Sequence, residues 1–586
     1  MLHNKWLRLL SLVMVLGILG GCATPTPEVV KETVVVEKVV TQVVKETVKE
    51  TVVVEGTPQV VEKEVTKIVE KVVTPPPAPG TAEEAKSKSI VLAAHTDILS
   101  LDPHRIMEIW GSFVLNHCYD TLLALDPQDA SKIMPSLAEE WEVSPDATVY
   151  TFKLRPDVKF TTGNPLTAED VIFSFNRLKN LKGLPSVRLE DIDTVEAIDD
   201  MTVQITTKAP NVILPYLLTG AYASIVDSKE LSERGGLDTP DAAEKDKAEQ
   251  FLNDNSVGSG PFILASNEPD YKVVLTKNPN YWGQVPQLDE VVLLTVSDPS
   301  AQRFMVERGD ADVAFNLSAE QVDAMRKNSD IKIVGGPTTT FVSVEMTKKP
   351  DLSEPMANPT VEMAIRYALD YDGYLALAGG YADRIGGVVP QVALGGLPQE
   401  EWIQRDVEKA KELLAEAGYP DGFDVKLSYE STGVWYGVSI SSMAEKMQAD
   451  LAEVGINVTL DPQEGMIVYQ MSRRGELEMM INLWGGSYFD GYAQLRLFCP
   501  GEQVAMRYDY GADLDPEIRG LCDEAKTVPD PEERARVYQE IQRQMNERSP
   551  WIGIMSFGAH LAVRDEVENF VYHPGYQVQL QFVDKK

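Results

Sequence analysis

Along the middle of the chain, apolar and polar residues alternate with two different periods. Tyr150, Phe152 and Leu154 are interleaved with Thr151, Lys153 and Arg155, the period-two pattern of a half-buried strand. Just before it, Pro135 to Trp141 predicts a short amphipathic turn ending on Trp141, and Asp146-Ala147 a reverse turn. A second strand is expected at Val158 to Phe160, closed by the polar turn Thr161-Thr162-Gly163-Asn164. Thr167 then precedes Glu169, Asp170 and the apolar face Val171, Phe173 and Leu178, so it is expected to cap a helix whose first turn is acidic.

The same two periods recur on either side. Ile90 to Ala94 is an apolar run that suits a buried strand. Pro359-Thr360-Val361 opens an alanine-bearing helix, Glu362 to Leu369. Asp406 is expected to cap a helix with Val407, Ala410, Leu413, Leu414 and Ala417 on one face, stopped by Gly418 and Pro420. An amphipathic helix over Ser441 to Val454 leads into a strand at Gly455 to Val458. Such alternation is that of an α/β protein.

The N-terminal part breaks this pattern. Lys5 and Arg8 precede an apolar run from Leu9 to Leu19, too short for an ordinary membrane span and suited to a signal peptide. Leu19-Gly20-Gly21-Cys22 looks like a bacterial lipobox, which implies cleavage after residue 21 and lipid attachment to Cys22, an anchor to the membrane through acyl chains. From Ala23 to Gly80 the composition turns to Val, Glu, Lys and Thr with no aromatic residue, so no globular core can form there. The segment 22–88 reads as a tether, with a weak coiled coil along its valine pairs as the alternative.

Length and charge narrow the class. A chain of 586 residues exceeds what one core usually supports. Its net charge of −36 repels phosphate backbones, which makes nucleic acid an unsuitable partner, and otherwise serves solubility. Of four cysteines, Cys118 sits in an apolar stretch as a small core residue. Cys499 and Cys522 are close enough in sequence to be bridged in an oxidising envelope, or to remain two buried thiols.

The run from Pro135 to Arg177, PSLAEEWEVSPDATVYTFKLRPDVKFTTGNPLTAEDVIFSFNR, resembles the signature of the family 5 extracellular solute-binding proteins of bacterial ABC importers. Further matches follow in the family's order: Ser100-Leu101-Asp102-Pro103-His104, Tyr119-Asp120-Thr121-Leu122-Leu123, Val257-Gly258-Ser259-Gly260-Pro261, Asn278-Pro279-Asn280-Tyr281-Trp282 and Gly309-Asp310-Ala311-Asp312-Val313. Glu362 stands where the family carries an arginine. The resemblance implies an α/β, type II periplasmic-binding-protein fold of two lobes, with a small domain inserted in the first. On that scheme residues 1–21 are the signal peptide, 89–125, 255–340 and 556–586 form lobe 1, 126–254 the insertion, and 341–555 lobe 2.

In such a fold the ligand lies between the lobes. The stretch from Leu483 to Tyr492 is rich in aromatics and glycine. It aligns with the family segment whose aspartate holds the peptide ammonium in peptide receptors, and here that place is Ser487. Asp490 is the nearby acid that could substitute for it. Candidate ligand contacts are Trp484, Ser487, Tyr488, Asp490 and Asn482, with Trp435 and Tyr436 as stacking platforms and Ser100 from the SLDPH turn.

The resemblance implies a non-enzymatic, monomeric receptor that captures a small solute, a peptide or another oligomer, and delivers it to an ABC permease complex. No cofactor and no protein-held metal are expected. An oligosaccharide or a metal chelate are the alternative ligands. A hydrolase of the envelope is the alternative of another class, for which HExxH and GxSxG motifs are missing.

Overall fold

The computed structural model describes residues 39–54, 57–72, 88–106, 108–486 and 488–586, with side chains from residue 88 onward. The expected signal segment, Cys22 and the Pro-rich end of the expected tether lie outside the described residues, as does Ser487. Residues 1–85 and 86–586 are separate compact units. In the first, strands Val39–Val54 and Thr57–Val72 pair antiparallel, with Val39 opposite Val72. Strands form where a helical valine stripe was the alternative, because β-branched side chains lose rotamer freedom on a helix and pack well across a pleated pair.

The second unit is built on one mixed sheet of eleven strands among the described residues. Its first half runs Phe262–Glu268, Lys272–Lys277, Glu290–Thr295, Ser89–Ala94 and Val313–Ala314. The expected strand at 90–94 is therefore central and parallel to both its neighbours, which explains its unbroken apolar run. The other half runs Met479–Trp484, Asp424–Glu430 and Asn457–Gln463. Two long antiparallel strands, Ile331–Met346 and Trp551–Arg564, join the halves. Their register slips between Pro337 and Phe341. The expected lobe borders at 340/341 and 555/556 fall in these two strands, so the lobes share a sheet through a doubled, irregular connection.

The signature stretch forms a second layer. A four-stranded antiparallel sheet, Ala138–Val143, Val149–Leu154, Thr202–Thr207 and Ile192–Asp199 in spatial order, packs with the helix Ala168–Leu181. Tyr150, Phe152 and Leu154 point inward as their alternation predicts, at 1% exposure or less. Val171 and Leu178 are wholly buried, a contribution of roughly 1.5–3 kcal/mol each. Thr167 and Asp170 cap the helix together: the Thr167 N–H and hydroxyl both reach the Asp170 carboxylate at 2.9 Å. Two local expectations are corrected. Residues 138–143 are a strand rather than a turn, because they pair with 149–154. Val158 to Phe160 is not a strand; Lys159 makes only an isolated bridge to Pro165.

Other expected elements form as helices Pro359–Ala368, Val407–Glu416 and Ile440–Ala452. The Asp406 carboxylate caps the second by accepting from the Lys409 N–H at 2.9 Å. Glu362, the reversed charge on the first, is buried and lies 2.6 Å from the Lys348 ammonium, so the reversal is met by an opposite charge. Cys499 and Cys522 are bridged, and Cys118 is a buried free thiol.

Distant motifs turn out to be partners. Arg177, at the end of the signature, is wholly buried and grips Asp102 of the SLDPH turn with two nitrogens at 2.8 and 2.6 Å. Its other side reaches Asp246 at 2.8 Å, so one guanidinium ties three segments. Burial alone would raise the Asp102 pKa, but Arg177 outweighs it and holds the carboxyl below its ordinary value. Asp120 likewise gathers Ser259, Trp282 and Tyr281 at 2.8, 2.8 and 3.2 Å. At Gly260 a Cβ would lie 2.5 Å from the Cys118 carbonyl carbon, so only glycine lets these backbones meet. Among the described residues, no helix is long and apolar enough to cross a membrane.

Candidate functional site

Two adjoining cavities open where the two halves of the sheet and the inserted layer meet. The larger, about 670 Å³, is lined by Trp110, Phe315, Trp435, Tyr436, Glu430 and His560, among others. The smaller, about 250 Å³, is lined by Arg188 and Tyr222 from the inserted layer, Thr338 to Thr340 from the connecting strand, and Gly485 and Gly486 beyond it. Ile109, Tyr436 and Gln577 line both, which joins them into one cleft.

The cleft is largely aromatic. Trp110 meets Phe315 edge-on at 4.9 Å, and Tyr436 stacks on Phe557 at 4.9 Å and 14°. Tyr436 also donates to the Thr340 hydroxyl at 3.3 Å. It has a φ of 49°, the left-handed region that costs a non-glycine residue roughly 1–3 kcal/mol. That backbone, next to Gly437 at φ 83°, turns the loop 434–437 into the cleft. Trp435 and Tyr436, expected as stacking platforms, both line it.

The remaining expected contacts are arranged differently. Trp484 and Asn482 direct their N–H groups onto Glu345, a fully buried carboxylate; Asn482 is 3.2 Å from it and the Trp484 indole also donates to it. Tyr508 donates to the same carboxylate. Burial pushes the Glu345 pKa up, against the opposing pull of these donors. Sequence reading missed Glu345 because its strand reads simply as apolar.

Tyr488 is 1% exposed and packs in the core of the inserted layer with Ala493, so it joins that layer to the second lobe. Asp490 is wholly buried and paired with Arg534 at 2.9 Å, and it also accepts from Tyr538. It is therefore not free to turn toward a ligand ammonium, which corrects its expected role. Ser100 is buried against Asn253, its hydroxyl 3.3 Å from the amide oxygen, and lies outside the cleft lining. Of the described residues in 483–492, Leu483, Gly485, Gly486 and Phe489 line the cleft, backbone and carbon more than polar side chain.

Charge within the cleft is sparse and placed apart. Glu430 lines the larger cavity with no ion pair to any described cation. Arg188 lines the smaller one, and neither an acid nor a hydrogen-bond acceptor is bonded to it among the described residues.

Comparison with known proteins agrees with this geometry. Residues 132–505 match the family model for bacterial extracellular solute-binding proteins, family 5. The chain is 29% identical over 509 residues to di/tripeptide-binding protein 2 of Pseudomonas aeruginosa, covering 81% of this chain and 91% of that protein. It is 28% identical over 485 residues to the glutathione-binding protein GsiB of Salmonella paratyphi A, covering 80% and 89%. Among solved structures, the ABC transporter-associated periplasmic binding protein DppA from Helicobacter pylori, in complex with the peptide STSA, superposes with a TM-score of 0.70 at 25% identity, covering 86% of this chain and 99% of that one. A two-part sheet with an inserted layer, an aromatic cleft between them and a match across the signature together assign the chain to the family 5 bacterial extracellular solute-binding proteins.

Proposed function

We propose that this member of the family, a substrate-binding receptor of an ABC importer, captures a short peptide in the cleft between its lobes and releases it unchanged to the permease. The observation that carries the reading is the cleft itself: aromatic walls from both halves of a sheet joined by two strands, in a chain whose relatives include di/tripeptide- and glutathione-binding proteins. With Asp490 engaged by Arg534, Glu430 is the acid that lines the cleft and is free to meet a peptide ammonium. Trp435 and Tyr436 offer faces for the chain between its ends. Binding proteins of this family work outside the cytoplasm, and the lipid attached at Cys22 is proposed to keep a monomeric receptor at the membrane.

The test is thermal denaturation of the purified chain with tripeptides, glutathione and maltotriose, followed by mass spectrometry of the recovered compound. A rise in Tm with an intact peptide is expected, since a ligand bound only by the folded state stabilises it. A rise with maltotriose alone replaces the peptide reading by an oligosaccharide one. Cleaved product identifies a hydrolase.

A further inference from the structure

Away from the cleft, a cavity of about 10 Å³ in the second lobe has Arg366, Tyr371, Arg384 and Asn546 in its lining and no acid. Arg366 comes from the helix Pro359–Ala368 and Asn546 from the helix Pro531–Arg548. Arg384 ends the short strand Ala382–Arg384, where it stands opposite Met555 of the connecting strand Trp551–Arg564. Three elements thus bring two guanidinium groups to one small space.

Neither group has all its donors met. Arg366 is 1% exposed; its Nη2 donates to the Met545, Ser549 and Trp551 carbonyls at 3.2, 2.7 and 2.7 Å, while its Nε and Nη1 are buried without a hydrogen-bond partner among the described residues. Arg384 lies over the Tyr371 ring at 4.2 Å and donates from its terminal nitrogens to the Gln404 amide oxygen at 2.9 Å and to the Ile403 carbonyl. Its Nε is likewise buried and unpartnered. The Tyr371 hydroxyl donates to the Arg366 carbonyl at 3.1 Å, so one ring touches both arginines. Asn546 spends its own donor on the Gly386 carbonyl at 2.7 Å. The acid on the same helix as Arg366 is Glu362, and it is taken by the Lys348 ammonium at 2.6 Å. Asp372 acts on Arg384 through its charge alone.

A buried N–H with no acceptor is unfavourable, the more so on a charged group, and folded proteins meet such donors with water or an ion. Burial holds the pKa of both arginines below its ordinary value, as expected of cations whose charge is not fully offset. Two cations in one space favour an anion over water, because the anion accepts from the donors and also neutralises the charge. The volume admits a guest of about one water's size, which shuts out carboxylates, phosphate and sulfate and leaves a monatomic anion.

We infer that Arg366 and Arg384 hold a chloride ion, which ties the helix Pro359–Ala368 to the strand Ala382–Arg384 beside the lobe connection and adds to the stability of the second lobe. The site shares no lining residue with the ligand cleft and does not depend on what the cleft binds.

The test has two parts, both on the full chain. Crystals grown in bromide are measured for anomalous scattering, and Tm is followed as chloride replaces gluconate at constant ionic strength, for the wild type, Arg384→Gln and Arg384→Lys. The expected result is a bromide peak against the guanidinium nitrogens of Arg366 and Arg384. With it goes a saturable rise in Tm of about 2 °C by about 150 mM chloride, lost in Arg384→Gln and partly kept in Arg384→Lys, which retains the charge. Where Arg384→Gln fails to fold, the bromide peak and the saturation of the wild-type curve decide. No peak at the site overturns the inference, since water then serves the donors. A rise of equal size in wild type and Arg384→Gln is a bulk salt effect and overturns it too. A peak with no chloride effect on Tm is binding at crystal concentration only, which overturns it as well.

Discussion

Asp490 and Arg534 form a wholly buried ion pair across 2.9 Å, with Tyr538 donating to the other carboxylate oxygen and the Val528 and Pro529 carbonyls accepting from Arg534. The pair fixes the segment after the cleft loop to the long helix Pro531–Arg548. Removing one partner leaves an uncompensated buried charge, a loss of about 3–5 kcal/mol. Asp490→Ala is therefore expected to lower stability in urea titration by that order. Ligand affinity of the folded protein is expected to stay within about twofold, a result that a direct ligand contact by Asp490 contradicts.

Stability is expected to fall as the pH drops from 6.5 toward 4. His117 donates from Nδ1 to the Phe113 carbonyl at 2.7 Å and accepts the Leu580 N–H at Nε2 at 3.1 Å, so it is held neutral. Burial lowers its pKa to about 4. Burial and Arg177 lower that of His104 to about 4 as well. Because the folded pKa lies below the unfolded value, the unfolded chain takes up the proton first as pH falls. The stability is full above about pH 6.5 and is lost on the way to pH 4, about 3 kcal/mol for each group. His117→Gln is expected to flatten the slope of Tm against pH in that window, with His104 supplying the remainder.

Reduction of the Cys499–Cys522 bridge, which spans 23 residues of chain, is expected to cost about 3 kcal/mol. The Tm measured with and without dithiothreitol reads this directly. Burial pushes the Cys118 thiol up to about 12, so a thiol reagent is expected to label it only on unfolding. Labelling of Cys118 in the native protein contradicts its packing.

The exposed ring of Tyr436 reaches both parts of the cleft. Tyr436→Ala is expected to weaken peptide binding about fivefold to tenfold, the value of one aromatic contact of about 1 kcal/mol. Its effect on Tm without ligand is expected to be a modest decrease, since alanine keeps the left-handed backbone and loses the stack on Phe557. Equal affinity of wild type and variant in titration contradicts a stacking role.

By itself the sequence determined what local pattern can carry. The alternation at 150–155, the Thr167 cap and the apolar run at 90–94 specify their elements because side-chain period and backbone hydrogen bonding are short-range properties. The signature from Pro135 to Arg177 identified the family before any contact was known. Residues 138–143 escaped that reading because their strand exists only through its partner at 149–154. The tertiary structure alone decided which polar groups are occupied. Asp490 meets Arg534 from 44 residues away, and Glu345 meets Trp484 from 139. Such pairings follow from how distant segments fold back on one another, and a buried charge takes whatever partner the fold presents, which no spacing along the chain encodes.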